Sequence, residues 1–185
     1  MKHYHDPGDF HELTFSCYHQ LPLLSNDVWR ELFCRSVDRA IAGHNFRLAA
    51  FVLMPEHVHL LVYPLDPEPD IPGLLSGIKR PFSVQIKRIL QDAKSPLLRK
   101  LTIRDRPGVM MFRYWQEGPG YDRNLQTPEA VLAAIEYIHN NPVKRGLVAR
   151  QTDWKWSSAR HYLLGNHPVD PSLPTIHGLP ADFLQ

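Results

Sequence analysis

The chain has 185 residues, of which 43% are hydrophobic and 22% are charged. This composition is typical of a soluble globular protein, and the length suffices for one domain with a sizeable core. No apolar run approaches the length of a membrane span, and no apolar signal segment follows the first residues, so we expect a cytoplasmic protein without membrane contact. The two cysteines, Cys17 and Cys34, lack the spacing of paired metal ligands and are expected to be reduced thiols.

The net charge is only +2, but it is distributed unevenly along the chain. Residues 79–106 carry a local charge of +7, which the rest of the chain offsets with −5. A local excess of this size in a nearly neutral protein predicts a surface that binds a polyanion. The basic side chains of this segment are Lys79, Arg80, Lys87, Arg88, Lys94, Arg99, Lys100, Arg104 and Arg106.

The first part of the chain predicts three strands and one helix. Residues 12–18 alternate apolar and polar side chains, which is typical of a strand. A Ser-Asn cap and a Gly stop signal predict a helix over about residues 26–42. Residues 47–54 and 57–63 predict two strands that fold back on each other through a tight turn at Pro55.

The second part predicts two helices and one strand. Residues 73–91 have a helical pattern, but Pro81 is expected to kink or split that helix. Residues 93–108 are basic and are expected to be irregular, whereas residues 109–115 predict a fourth strand. A Thr-Pro-Glu start signal predicts a helix over residues 127–140.

The resulting order of elements is strand, helix, strand, strand, helix, strand, helix. This is the ferredoxin-like pattern, so we expect an α+β fold with a ferredoxin-like antiparallel sheet and helices on one face. We expect residues 1–148 to form the domain and residues 149–185, which are rich in Trp and Pro, to form a C-terminal extension packed on it.

Two histidines of the third predicted strand suggest a metal site. His57 and His59 lie two positions apart, so both imidazoles point to the same face of the sheet. Two imidazoles on one rigid strand can serve as two ligands of a metal ion. Because His-x-His is a short motif, two structural histidines remain the alternative.

The last predicted helix carries a second pair of functional side chains. Tyr137 and Asn141 are four residues apart and therefore lie on one helix face. The oxygen of Asn141 would add a third metal ligand, and the phenol of Tyr137 would be a nucleophile beside the ion. The alternative is a half-buried helical tyrosine and an asparagine cap. Tyr121, after a Gly-Pro-Gly turn, is a rival nucleophile.

Five motifs together resemble those of the REP-associated tyrosine transposases, which belong to the HUH single-tyrosine transposases. The matches follow one another in order over roughly residues 10–165, and the block that begins at Tyr137 is the longest and most specific. The motifs are Met54-Pro-Glu-His-Val-His-Leu-Leu-Val62, Tyr114-Trp-Gln116, Tyr121-Asp-Arg123, Tyr137-Ile-His-Asn-Asn-Pro-Val-Lys-Arg-Gly-Leu147 and Asp153-Trp-Lys-Trp-Ser-Ser158.

The resemblance implies a ferredoxin-like fold and metal-dependent cleavage of single-stranded DNA beside hairpins. It implies that the HUH pair is His57 and His59, that the helical polar ligand is Asn141, and that the nucleophile is Tyr137. In the mechanism that it implies, Tyr137 attacks a phosphate held by the divalent ion and leaves a 5′-phosphotyrosyl enzyme and a free 3′-hydroxyl. The ion is expected to be Mg²⁺ or Mn²⁺, with Mn²⁺ bound more tightly because imidazole ligands favour it.

The expected partner is single-stranded or hairpin DNA, bound by a monomer or a homodimer. Basic side chains are expected to contact phosphates, and Trp115 is a candidate for stacking on an unpaired base. The predicted phosphate contacts are Lys79, Arg80, Lys87, Arg88, Lys144 and Arg145.

Two functions from other classes remain open at the level of sequence. One is a DNA-binding regulator on the same fold, in which the histidines are structural and no cleavage occurs. The other is a metallohydrolase, in which a metal-bound water replaces Tyr137 as the nucleophile. The pairing of Tyr137 with Asn141 favours the transposase, because neither alternative needs a phenol beside the metal.

Overall fold

A computed structural model describes residues 9–118, 120–165, 170–180 and 183. The second His-x-His triplet, at His3 and His5, lies outside the described residues. The strands are β1 (Phe10–Ser16), β2 (Phe46–Leu53), β3 (His57–Pro64), β4 (Thr102–Arg106), β5 (Val109–Phe112) and β6 (Tyr121–Leu125). The α-helices are α1 (Asp27–Gly43), α2 (Ile71–Asp92), α3 (Pro96–Lys100), α4 (Pro128–Lys144) and α5 (Ala159–Leu163).

Four strands form one antiparallel sheet in the order β2, β3, β1, β6. The first and third strands of the chain are therefore central, and the hairpin of β2 and β3 forms as its tight turn predicts. This sheet and its covering helices confirm the predicted α+β fold class. Cys17 and Cys34 are buried free thiols, also as predicted. Among the described helices, none is long and apolar enough to cross a membrane.

The predicted fourth strand is wrong in position. The strand that joins the sheet is β6, whereas β5 pairs with β4 in a separate two-stranded hairpin. Residues 93–108 are therefore not irregular, since they contain α3 and β4. The strand β6 is polar and shows little apolar alternation. Its place beside β1 is supported by contacts between side chains, including a 2.6 Å bond from Arg123 to Glu12.

Helices cover both faces of the sheet, which corrects the prediction that they lie on one face. The helices α1 and α2 pack on the face of Val58 and Leu60, whereas α4 packs on the opposite face against Val52 and Leu61. The physical reason is that β2 and the middle of β3 are buried on both sides and need an apolar cover on each. The side of α4 is also the side to which His57 and His59 point.

The helix α2 continues through Pro81, so the predicted split of this helix is wrong. A proline removes one backbone hydrogen bond inside a helix. The exposed Pro81 lies away from the core, whereas Ile78, Phe82 and Ile86 of the same helix are fully buried. Burial of this stripe contributes more free energy than one hydrogen bond.

The outer edge of β2 is covered by the C-terminal part of the chain. The backbone of Leu53 donates to Trp156, and the backbone of Ser158 donates to Phe51. Further along the same edge, His177 donates to Leu48. An exposed strand edge is a template for aggregation, and these bonds leave little of the β2 edge unpaired.

A buried hydrogen-bond network joins α4 to this edge. The hydroxyl of Ser158 accepts from the backbone nitrogen of Phe51 at 2.9 Å and donates to the carbonyl of Phe51 at 3.2 Å. Since its single proton is used, it accepts from Nε2 of His139 at 2.8 Å. Nε2 of His139 therefore carries a proton. Burial lowers the pKa of His139 to about 4, and nearby His161 lowers it further.

We expect the protein to lose stability in mild acid because of His139. Below pH ~6.5 His139 binds a proton in the unfolded state but not in the folded state. The free energy of unfolding therefore falls with pH until the pH reaches the pKa of the folded state. His139 contributes about 2 kcal/mol to the loss between pH 7 and pH 5, and His59, whose pKa burial also lowers, adds to it. Urea denaturation at both pH values would measure it. The His139→Gln variant should show a smaller difference, and an equal difference would contradict the assignment.

Candidate functional site

His57 and His59 share the face of the sheet that α4 covers. Their ring centroids lie 4.9 Å apart, and Val58 between them points into the opposite core. His59 is 5% exposed, and His57 is partly buried. The two imidazoles that the sequence places on one face are therefore neighbours in space, at the end of β3 nearest to the tight turn.

Each imidazole is oriented by a hydrogen bond at Nδ1. His57 Nδ1 lies 3.2 Å from Oε1 of Glu56, and a carboxylate only accepts, so this nitrogen carries the proton. His59 Nδ1 lies 2.8 Å from Oγ1 of Thr14 and 3.9 Å from Oε1 of Glu12. The nearby carboxylate favours a proton on this nitrogen too. Both Nε2 atoms then carry a free lone pair, which is the arrangement of metal-binding histidines.

Both histidines are neutral at neutral pH. Burial lowers the pKa of His59 to about 3, and the neighbouring His57 lowers it further. Burial also lowers the pKa of His57, although the carboxylate of Glu56 acts in the opposite direction. A metal ion therefore does not compete with protons for these ligands, since metal binding requires neutral imidazole.

The helix α4 brings Tyr137 to the histidine pair. The phenol ring lies edge-on to the ring of His59, with 5.5 Å between centroids, and it is 43% exposed. The ammonium of Lys144 lies 5.0 Å from the centroid of the phenol ring, which places a positive charge next to Tyr137. The phenol is therefore held beside His59 and is still open to a ligand from solvent.

Asn141 lies one turn after Tyr137 and is buried. Its amide nitrogen donates to the carbonyl of Tyr137 at 3.0 Å, which directs the carboxamide oxygen away from that carbonyl. Within the described residues there is no group of three His, Cys, Asp or Glu side chains that could hold a metal. Two imidazoles and one amide oxygen are donors that Mn²⁺ accepts, so the set His57, His59 and Asn141 fits a divalent ion.

Glu12 and Thr14 were not identified from the sequence. Both lie on β1 and point to the histidine face, since Thr14 is opposite His59 and Glu12 is opposite Leu61. Glu12 is almost fully buried and forms an ion pair with Arg123. The available signal was the polar alternation of Glu12 and Thr14 around the apolar Leu13, but the partners of these side chains depend on strand register.

Tyr121 lies on the same face as Tyr137 but two strands away from the histidines. It pairs with Thr14, which in turn pairs with His59, so the three side chains form one row across the sheet. Tyr121 is 57% exposed. Tyr137 is the tyrosine whose ring contacts a histidine of the pair.

The basic side chains of α2 lie on the other face of the sheet from the histidines. Three of them line a groove between α2 and the hairpin of β4 and β5, which we call the basic groove. Apolar side chains also line the groove, and one of them, Met110, is 62% exposed. The groove is lined by Ser76, Lys79, Arg80, Ser83, Val84, Lys87, Met110, Met111 and Phe112.

The remaining predicted DNA contacts differ in exposure. Trp115 is 8% exposed and its ring lies in an aromatic cluster with Phe15 and Phe82, so the predicted stacking on a base is wrong for this conformation. The exposed Arg88 lies 4.0 Å from Asp92. Lys144 and Arg145 are exposed near the histidine pair, where Arg145 forms a 2.7 Å ion pair with Glu56.

The chain is similar in sequence to one curated protein. The chain is 27% identical over 114 residues to a putative REP-associated tyrosine transposase of Haemophilus influenzae, an alignment that covers 61% of this chain and 58% of that protein. The chain thus aligns with a little more than half the length of this relative. No protein-family model matches the chain.

A solved structure of a transposase shares the fold. A REP-associated tyrosine transposase bound to a REP hairpin superposes with a TM-score of 0.66 at 18% identity, over 97% of this chain and 96% of that one. A putative transposase of Deinococcus radiodurans gives a TM-score of 0.47 at 18% identity, over 76% of this chain and 95% of that one. The resemblance drawn from the sequence motifs is confirmed, and the chain is related in sequence and in fold to the REP-associated tyrosine transposases.

Proposed function

We propose that the protein is a DNA transposase that cleaves and rejoins single-stranded DNA beside hairpins. The observation that carries this proposal is the edge-on contact of Tyr137 with His59, on the face where His57 and His59 are neighbours. The relative of known structure is bound to a REP hairpin, which supports hairpin DNA as the substrate.

In the proposed reaction the hydroxyl of Tyr137 attacks a backbone phosphate. The bond from Tyr137 Oη to phosphorus forms, the bond from phosphorus to the 3′ oxygen breaks, the phenol gives up its proton, and the leaving oxygen takes one up. The product is a 5′-phosphotyrosyl enzyme, and attack by a 3′-hydroxyl reverses the step and joins strands. The charge of Lys144 near the ring favours the developing phenolate.

A divalent ion, Mg²⁺ or Mn²⁺, is part of the proposal. His57, His59 and Asn141 would hold it, and the ion would polarise the phosphate oxygens. Glu56 and Thr14 orient the two imidazoles through Nδ1, so that each Nε2 presents its lone pair.

The DNA strand is proposed to contact basic side chains near both faces of the sheet. Lys144 and Arg145 lie near the histidine pair and would bind phosphates that flank the cleaved one. Lys79, Arg80 and Lys87 in the basic groove, with the exposed Arg88 on the same helix, would bind phosphates further away. Contacts of this kind contribute affinity that decreases with salt and carries little sequence information.

The test is a search for a covalent adduct. Purified protein is incubated with hairpin oligonucleotides from the DNA that flanks its own gene, labelled at the 3′ end, with Mn²⁺ or with EDTA. We expect a labelled band at the mass of the protein on a denaturing gel, present with Mn²⁺ and absent with EDTA. Cleavage without an adduct would favour a metallohydrolase, and binding without cleavage would favour a DNA-binding regulator.

The Thr14→Val variant tests how His59 is oriented. This substitution keeps the shape of the side chain and removes the hydroxyl that lies 2.8 Å from Nδ1. Loss of such a partner lowers metal affinity about tenfold or more, because the imidazole is no longer held in one orientation. Titration with Mn²⁺ followed by calorimetry would measure the affinity. Thr102→Val on the β4–β5 hairpin is the matched control, and equal affinities would contradict the role of Thr14.

A further inference from the structure

A small polar cavity at the end of β1 has no role in the site described so far. It has a volume of about 370 Å³ and is lined by Ser16, His19, Gln20 and Gln116. Cavities of this size are large enough for a small organic group. All four lining residues have polar side chains, so the cavity offers hydrogen-bonding groups beside apolar surface.

The register of the sheet places this cavity next to His57. Ser16 is directly opposite His57 in the antiparallel pair of β1 and β3. Opposite residues point to the same face, with their Cβ atoms about 5 Å apart. A strand whose phosphate lies at His57 would therefore bring a neighbouring nucleotide to the cavity.

The backbone on one side of the cavity is strained. His19 and Gln20 have φ angles of 50° and 53°, in the left-handed region that few residues other than glycine adopt. Backbone bonds support this conformation, because Gln20 donates to Cys17 at 3.0 Å and Leu21 donates to Tyr18 at 3.1 Å. Strain of this kind accumulates at ligand-binding sites, where it fixes a side chain in one direction.

The orientation of Gln116 is determined by its contacts. Its backbone nitrogen donates to Ser16 at 2.8 Å, and its side-chain oxygen accepts from the backbone nitrogen of His19 at 3.2 Å. The amide nitrogen must then face the other way and offers its protons. In the part of the chain that the structure describes, neither this nitrogen nor the carboxamide of Gln20 has a hydrogen-bond partner.

The residue before Gln116, Trp115, is hydrogen-bonded to the backbone of α2. The indole nitrogen of Trp115 donates to the carbonyl of Lys79 at 3.3 Å, and Lys79 lines the basic groove. Trp115 thus connects the chain at Gln116 to the helix that carries the basic groove. Ser16, which also lines the cavity, is opposite His57.

We propose that this cavity binds one unpaired nucleobase next to the phosphate that Tyr137 attacks, and that Gln20 and Gln116 recognise the edge of this base. The amide nitrogen of Gln116 can donate to an acceptor on a base edge, and the carboxamide of Gln20 can both donate and accept. The full edge of a base is accessible only when the base is unpaired. The inference rests on the proposed function, since it assigns base preference at the cleavage site to residues outside the metal and nucleophile set.

The experiment measures binding in the Tyr137→Phe protein, so that cleavage does not interfere. Labelled hairpin oligonucleotides from the DNA flanking the gene carry an abasic site at one position after another in the single-stranded segment. Fluorescence anisotropy with Mn²⁺ gives the affinity for each. We expect one abasic position to weaken binding about tenfold, as for loss of one recognised base. Adding Gln20→Leu or Gln116→Leu should remove that position-specific effect, whereas Gln91→Leu, on the exposed side of α2, should keep it.

The outcomes separate this inference from the proposed function. An abasic profile that is unchanged in both pocket variants, or lowered equally at every position, would overturn the role of the cavity. Gln20→Leu is informative by itself because that side chain supports no backbone group. Cleavage by protein that retains Tyr137 is measured in parallel. If one abasic position weakens binding but no cleavage occurs, the role of the cavity stands and the proposed transposase activity is overturned. If cleavage occurs but every abasic position has the same effect, the transposase activity stands and the role of the cavity is overturned.

Discussion

Replacement of Tyr137 by phenylalanine should abolish the covalent DNA adduct, with cleavage reduced more than about a thousandfold. The phenylalanine keeps the ring against His59, where the centroids lie 5.5 Å apart, and removes only the hydroxyl that would attack phosphorus. DNA affinity should remain within about twofold, because this hydroxyl acts in the reaction and not in holding the strand. A denaturing protein gel reports the adduct, and anisotropy reports the affinity.

Tyr121→Phe is the matched control for that experiment. Tyr121 lies on the same face of the sheet and is even more exposed than Tyr137, but Thr14 separates it from His59 in the row across the sheet. We expect its removal to leave the adduct intact. Loss of the adduct in Tyr121→Phe alone would keep the reaction class and move the nucleophile. Loss of cleavage in neither variant would point to attack by water.

Ser158→Ala should destabilise the protein by about 3 kcal/mol. The hydroxyl forms three buried bonds, two to the backbone of Phe51 and one to His139, and alanine leaves donors of both partners without an acceptor. For a protein of this size such a loss lowers the melting temperature by about 6–12 °C. Differential scanning calorimetry would measure the change.

Ser76→Ala is the control for Ser158→Ala. Ser76 is an exposed residue of α2, and alanine is a better helix former than serine. The melting temperature of the Ser76→Ala protein should therefore stay the same or rise slightly. A small effect of Ser158→Ala would mean that water replaces the hydroxyl and that the C-terminal segment contributes little to the β2 edge. The result therefore also measures how firmly residues 156–158 hold that edge.

The candidate site was largely predictable because its residues obey short-range geometry. His57 and His59 share a face through the period of two in a strand, and Tyr137 and Asn141 share a face through the period of the helix. The resemblance of the motifs to those of one family then linked the two pairs. The metal set, the nucleophile and the phosphate contacts stay predictions until the experiments above are done.

Other features were not predictable because they depend on which distant segments meet. The apolar pattern of residues 109–115 indicates a strand but not its partner, and contacts such as Arg123 to Glu12 place β6 beside β1 instead. Trp115 looks like a stacking residue in sequence, yet α1 and α2 bury its ring among other aromatic side chains. The covering of both sheet faces follows from the same long-range packing.

The sequence by itself determined the α+β class, the two faces that carry functional side chains and the capped helix that presents Tyr137. Only the tertiary structure decided that α4 lies on the histidine face, that Thr14 and Glu56 orient the imidazoles, and that Gln116 lines a cavity beside His57. The physical reason is that a residue's neighbours along the chain determine the direction of its side chain. Its partners across the fold are instead set by strand register and by the burial of apolar faces.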